Sequence, residues 1–199
     1  MFRKGREASA YPRPLPLDAD RLAVEAARRD PLRFETLYRK YVAQVYSFAL
    51  YETHAHHAAE DITEQVFLQA LRGLPAFDDR GLDEGSTFKV WLFQICRNVL
   101  ANERRRERRH PQASLDLALD IQAPDDPATA VADRDEAARA WQVIQGLPDD
   151  RRRVLVLRFV EEMSAREIGE VTGRSPGAVR VLIHRTLRDV ANELGGRRS

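Results

Sequence analysis

The chain has 199 residues, 43% of them hydrophobic and 32% charged, with 32 Lys and Arg against 31 Asp and Glu for a net charge of +1. That composition suffices for packed cores, and few glycines with little β-branched alternation favour amphipathic helices, so the expected fold class is all-α. A lone Cys96 excludes an intramolecular disulfide, no apolar run approaches the roughly 18 residues that cross a bilayer, and no Gly-rich phosphate loop, nucleophile elbow or paired-Cys metal motif occurs.

Residues 1–17 are proline-rich, lack a signal-peptide core and read as a flexible tail. Asp18 can cap a short helix through Val24 and Ala27. Asp30-Pro31 then opens a longer one carrying Phe34, Leu37, Tyr38, Tyr41, Val45, Phe48 and Ala49 on one side. After a break over 53–57, AAEDITEQVFLQALRGL supplies a second stripe from Ile62, Val66, Phe67, Ala70 and Leu71, and Gly73 ends it. A loop over 74–85 follows. Ser86 is placed to cap the next helix, where Phe88, Trp91, Leu92, Ile95 and Val99 face inward before the period dissolves into Asn98, Asn102 and an arginine block. Cys96 sits among those apolar residues and reads as buried.

The charges are segregated along the chain. Arg97, Arg104, Arg105, Arg106, Arg108 and Arg109 are opposed only by Glu103 and Glu107, whereas Asp116, Asp120, Asp125, Asp126, Asp133, Asp135 and Glu136 are opposed only by Arg134. A second basic region lies in the last helix, so the asymmetry suggests nucleic-acid contact at two places. Residues 111–134, with little apolar period, read as a flexible acidic linker and a domain boundary. This divides the chain into a helical domain over 18–110 and a second over 135–199.

The second domain begins with a helix through Ala137, Trp141 and Ile144, stopped at Gly146-Leu147-Pro148. A helix from Asp149 follows, carrying the apolar Val154, Leu155, Leu157 and Phe159. Ser164-Ala165-Arg166-Glu167 fits a capping box, its helix runs through Ile168 and Val171, and Gly173 suits a left-handed turn. Ser175-Pro176 then starts the last helix, in which Val179, Leu182, Ile183, Leu187, Val190 and Leu194 form the apolar stripe. Arg180, His184, Arg185 and Arg188 fall outside it. Two helices at a tight corner have the form of a helix-turn-helix, although this segment alone equally fits a solvated helical hairpin.

Several segments together resemble the sigma factors of bacterial RNA polymerase, in the extracytoplasmic-function (ECF) group of the sigma-70 superfamily. They are FETLYRKYVAQVY, AEDITEQVFLQAL, STFKVWLFQICRNVLANERRR and LPDDRRRVLVLRFVEEMSAREIGEVTGRSPGAVRVLIHRTL, in the family's order and approximately its spacing. The resemblance implies a region 2-like domain that binds core polymerase and opens the minus-ten element. It also implies a region 4-like domain that reads the minus-thirty-five element, an acidic linker near the polymerase active centre, and control by an anti-sigma factor. The linker also fits a plain soluble spacer.

Carried onto these residues, the resemblance assigns Asp61, Glu64, Gln65 and Leu68 to the polymerase contact, although a solvated helix face has the same pattern. It assigns Lys89, Asn98, Asn102, Arg105 and Arg106 to the minus-ten element. Phe88 and Trp91, being on the apolar stripe, read as core before stacking platforms. Arg180, His184 and Arg185 are expected in the major groove, with Arg174, Ser175 and Arg188 on the phosphate backbone. The implied partners are core RNA polymerase, promoter DNA and an anti-sigma factor, with a cytoplasmic location, no membrane insertion, no cofactor and no enzymatic activity.

Two other classes compete. A stand-alone helix-turn-helix regulator would bind duplex DNA tightly by itself, whereas a sigma factor needs core polymerase. A metal enzyme would use His54, His56 and His57 with Glu52, Glu60 or Asp61. Against it, neighbouring His56 and His57 diverge on a helix, and no glutamate is placed as a base beside a ligand set.

Overall fold

A computed structural model describes residues 20–79, 85–109, 139–140 and 142–196, and the described residues form helices, short 3-10 turns and their connections. The tail 1–17, Asp18, residues 80–84, the linker 111–134, Ala137 and Trp141 lie outside the described residues. The helices are α1 (Arg21–Arg29), α2 (Glu35–Thr53), α3 (His56–Gly73), α4 (Thr87–Arg109), α5 (Asp149–Phe159), α6 (Ala165–Thr172) and α7 (Pro176–Gly196). Residues 139–140 and 142–145 are also helical.

Local chemistry explains most of the boundaries. Asp30 accepts from the Leu32 amide at 3.1 Å and starts a 3-10 turn, Pro31–Phe34, that leads into α2. Helix α2 stops where His54 turns left-handed, with φ of 57°. Ser86 caps α4 by accepting from the Lys89 amide at 3.0 Å. The first helix begins at Arg21 with Asp20 in the cap position, yet the Asp20 side chain does not cap it. That carboxylate is buried and accepts instead from Tyr41, Ser86 and Lys40, tying α1 to α2 and to the start of α4.

The core is continuous across both halves of the chain. Phe48, Phe88, Phe93, Leu37, Ile62 and Leu92 are fully buried, and Leu157, Met163 and Ile168 join the same cluster. Helix α4 makes this possible because it is apolar on two faces. Of the expected stripe, Phe88, Leu92 and Val99 are buried and Trp91 and Ile95 half-buried, Cys96 is buried beside them, and α4 packs on α2 and α3. Val90 and Phe93, on an adjacent face, are also buried, one turn before Gln94 and Arg97. Gln94 donates to the Glu170 carbonyl at 3.0 Å and Arg97 donates to that of Val171, so this second face meets the C-terminal end of α6.

Four apolar expectations need correction. Phe159 is 59% exposed, because the chain leaves α5 directly after it and Val156 takes the inward place. Tyr38, Leu71 and Leu187 are also exposed, although the Tyr38 ring meets Phe67 edge-on with centroids 4.8 Å apart. Tyr38 and Leu71 line a groove between α2 and α3, described below. Leu187 lies at the edge of its stripe, where Thr186 is buried in its stead.

Candidate nucleic-acid and partner interfaces

The corner between α6 and α7 is built by caps. Ser164 accepts from the Glu167 amide at 3.2 Å while the Glu167 carboxylate accepts from the Ser164 amide at 2.8 Å, a complete capping box. Gly173 adopts φ of 74° and ends α6, and Ser175 caps α7 by accepting from the Ala178 amide at 3.2 Å. The corner is tight because Gly169 lacks a side chain: a Cβ there would stand 2.6 Å from the Arg174 carbonyl oxygen. Gly169→Ala is therefore expected to force the two helices apart at a cost of about 1–3 kcal/mol, read as a lower midpoint in urea unfolding. An unchanged midpoint would show that the corner has slack.

This corner sets the exposed face of α7. Arg180, His184, Arg185 and Arg188 are all exposed, opposite buried Val179, Thr186 and Val190. Val181 lies within the same arc, 50% exposed, an apolar residue among the cations that the sequence reading did not name. Ser175 is exposed at the N-terminus. Arg174 is placed differently, since its guanidinium forks onto Asp150 of α5 at 2.9 and 2.8 Å and so braces the corner. Arg151 and Asp189, 2.7 Å apart, brace α7 against α5 further along.

On α4 the structure brings together Asn98, Asn102, Arg105 and Arg106, all exposed along one side, with Arg105 donating to the Asn102 side chain at 2.9 Å. Lys89 is not among them. It lies on the other side of the helix and donates to the Glu161 carbonyl of the second half. Trp91 is half-buried against Phe77 and Phe88, with ring centroids 4.8 and 5.7 Å away.

On α3, Asp61, Glu64, Gln65 and Leu68 are exposed together, as their spacing over two turns requires, opposite buried Ile62, Val66 and Phe67. Beside them runs an apolar groove of about 720 Å³ between α2 and α3, lined by Tyr38, Val42, Tyr46, Phe67, Leu68 and Leu71, with Glu60 and Glu64 at its edge. The sequence signal for this groove was present in Tyr38 and Leu71, apolar positions that the core leaves uncovered.

Among the described residues no group of three His, Cys, Asp or Glu converges as a metal site. The histidines have other surroundings: His56 shares a hydrogen bond with the Tyr46 hydroxyl at 2.5 Å, and His57 lies 3.7 Å from Glu60. Glu52 is turned inward and held by Arg153 at 2.8 and 2.7 Å and by Arg104 at 2.6 Å. Burial, followed by the nearby Glu52 charge, pushes the Cys96 thiol far up, which keeps it protonated and unreactive. No helix among the described residues is long and apolar enough to cross a membrane.

Comparison with known proteins places names beside this geometry. Residues 37–110 match the family model for Sigma-70 region 2, which spans α2 to α4, and residues 137–190 match that for Sigma-70, region 4, which spans the helix-turn-helix. The ECF RNA polymerase sigma factor ShbA of Streptomyces griseus is 34% identical over 137 residues, 67% of this chain and 70% of ShbA. Among solved structures, CnrH in complex with the cytosolic domain of CnrY shares the fold with a TM-score of 0.64 at 24% identity, over 90% of this chain and 99% of that one. The sigma factor RpoE in complex with the anti-sigma factor NepR from Bartonella quintana does so with a TM-score of 0.61 at 20% identity, over 81% and 95% respectively.

Proposed function

Because this chain belongs to the ECF group of the sigma-70 family of RNA polymerase sigma factors, we propose that its exposed helix faces divide the work of initiation among themselves. As a member of that family it binds core RNA polymerase and directs promoter-specific transcription initiation. The bond-forming chemistry belongs to the polymerase, so this chain acts as an initiation factor without a reaction of its own, and it works in the cytoplasm, where core polymerase and promoters are.

The basic arc of α7 supports a role in reading the minus-thirty-five duplex. Arg180, His184 and Arg185 enter the major groove, Val181 between them offers an apolar surface to a thymine methyl group, and Ser175 and Arg188 hold phosphates. Arg174 acts by bracing the corner through Asp150, and reaches phosphate only on leaving that carboxylate. Asn98, Asn102, Arg105 and Arg106 form the minus-ten surface, where amides can bind an unstacked base and arginines its backbone. Lys89 joins them only if the two halves separate. The acidic edge of α3 and the apolar groove beside it meet core polymerase as a helix-binding surface, with carboxylates steering and the groove anchoring. An anti-sigma factor that covers these same faces would keep the chain inactive, and the complex of RpoE with the anti-sigma factor NepR is the precedent for that control.

The single observation that carries this reading is the open basic face of α7 on a capped helix-turn-helix within the region 4 match. Arg188→Ala is expected to weaken binding to all promoters alike and to lower the salt slope of the polymerase complex by about one unit. A loss confined to particular promoter sequences would move Arg188 from phosphate to base. The function itself is tested by adding the chain to a labelled promoter duplex with and without core polymerase. Tight binding only with core supports a sigma factor, and tight binding alone supports the stand-alone regulator.

A further inference from the structure

The two halves of the chain are shut on one another, and one group in the seam fits its surroundings poorly. Glu161, between α5 and α6, is 0% exposed. Its Oε1 accepts from Ser47 of α2 at 3.1 Å, and its Oε2 has no hydrogen-bond partner among the described residues. Ser47 and Tyr51 face it from α2, and Lys89 and Cys96 from α4. Lys89 spends its ammonium on the Glu161 backbone carbonyl and not on the carboxylate. A buried carboxylate with one oxygen unpartnered favours its neutral form.

The seam matters because of size. The minus-ten and minus-thirty-five elements are about 25 base pairs apart, or roughly 85 Å of duplex at about 3.4 Å per step. A compact chain of this length has a radius of gyration near 16 Å, so it is about 40 Å across. The α4 and α7 faces are each exposed in the closed arrangement, but they cannot reach both elements at once.

We propose that the packing of α5 and α6 onto α2 and α4 is an autoinhibitory closure, that the buried Glu161 carboxyl is its catch, and that reading a whole promoter requires this catch to open. The need to open rests on the sigma-factor reading, whereas the catch itself does not. Burial raises the Glu161 carboxyl to about 7, against the smaller opposing effects of the Ser47 hydrogen bond and the Lys89 charge. In the open chain it is solvated and returns toward 4.5. The closed state therefore binds the proton more tightly. Its advantage is complete below about 4.5, falls by up to tenfold in the closed-to-open ratio per pH unit as pH rises toward 7, and then levels off. Closing takes up a proton and opening releases it.

Small-angle scattering of the full chain between pH 5 and 8.5, without DNA or polymerase, tests the catch independently of the function. The wild type is expected to expand with rising pH and to level above about 7. Glu161→Gln, neutral and nearly isosteric, is expected to stay closed throughout, with a closed-to-open ratio at pH 8 on the order of a hundredfold above wild type. Ser47→Ala removes a bond that favours the charged form, so it moves the wild-type step to higher pH and serves if the glutamine variant loses its helicity. A wild-type radius constant across the range, a glutamine variant that expands as the wild type does, or a step unmoved by Ser47→Ala each overturns the proposal. Transcription assays of the same variants then separate a failed catch from a failed sigma reading.

Discussion

Asp61→Lys combined with Glu64→Lys is expected to weaken assembly with core RNA polymerase by roughly 30- to 1,000-fold while leaving the free chain folded. Both carboxylates are exposed on the outward side of α3, one turn apart, so they contribute little to internal packing. Surface substitutions of that kind change stability by only about 0.5 kcal/mol. At an interface the same reversal replaces attraction by repulsion, worth several kcal/mol against a basic partner. Titration of labelled chain with core polymerase measures the first effect and thermal unfolding of the free variant the second. A variant that binds core normally would move the contact from this edge to another face.

The double substitution Arg180→Ala and Arg185→Ala is expected to lower minus-thirty-five-dependent initiation by roughly 30- to 20,000-fold. Each arginine that pairs bidentately with guanine discriminates by about 1–3 kcal/mol, and in the proposed docking Arg180 and Arg185 meet different positions of the element. Core binding is expected to stay normal, because the substituted residues lie on α7 and the proposed polymerase contact lies on α3. The check is initiation from matched promoters carrying intact or scrambled minus-thirty-five elements. Wild type should distinguish them strongly and the double variant hardly at all. Equal losses on both promoters would make these arginines phosphate contacts.

The elements legible in the sequence were those fixed by local chemistry. Ser164 with Glu167, Gly173, Ser86 and Asp30 each have a capping or turn role set within a few residues, and in that role each takes the place that its type predicts. The outward set Asp61, Glu64, Gln65 and Leu68 was equally legible, since helical periodicity alone puts it opposite Ile62 and Phe67. What periodicity lacks is knowledge of what covers a face. Val90 and Phe93 sit off the main stripe of α4 and are buried because α6 comes to rest there. Tyr38 and Leu71 sit on the stripes of α2 and α3 and stay exposed because nothing among the described residues fills their groove.

Buried charge was the least legible feature, because its partners come from the other half of the chain. Glu52, which in sequence stands beside His54 as a candidate metal ligand, is instead held by Arg153, 101 residues later, through two guanidinium nitrogens. Glu161 meets Ser47 across 114 residues. The expected domain boundary rested on local composition, which carries no information about the contact between the two halves. The contact between the halves is a tertiary event, and it places the catch where no motif marks it.

Promoter-directing activity is tested most directly by mapping transcription start sites made by core RNA polymerase on a promoter library, with and without this chain. The expected result is a set of starts that appear only with the chain and share two sequence elements at a fixed separation. Those starts should be lost with the α3 and α7 variants. No chain-dependent start on any promoter, with the chain binding duplex DNA tightly by itself, would contradict it.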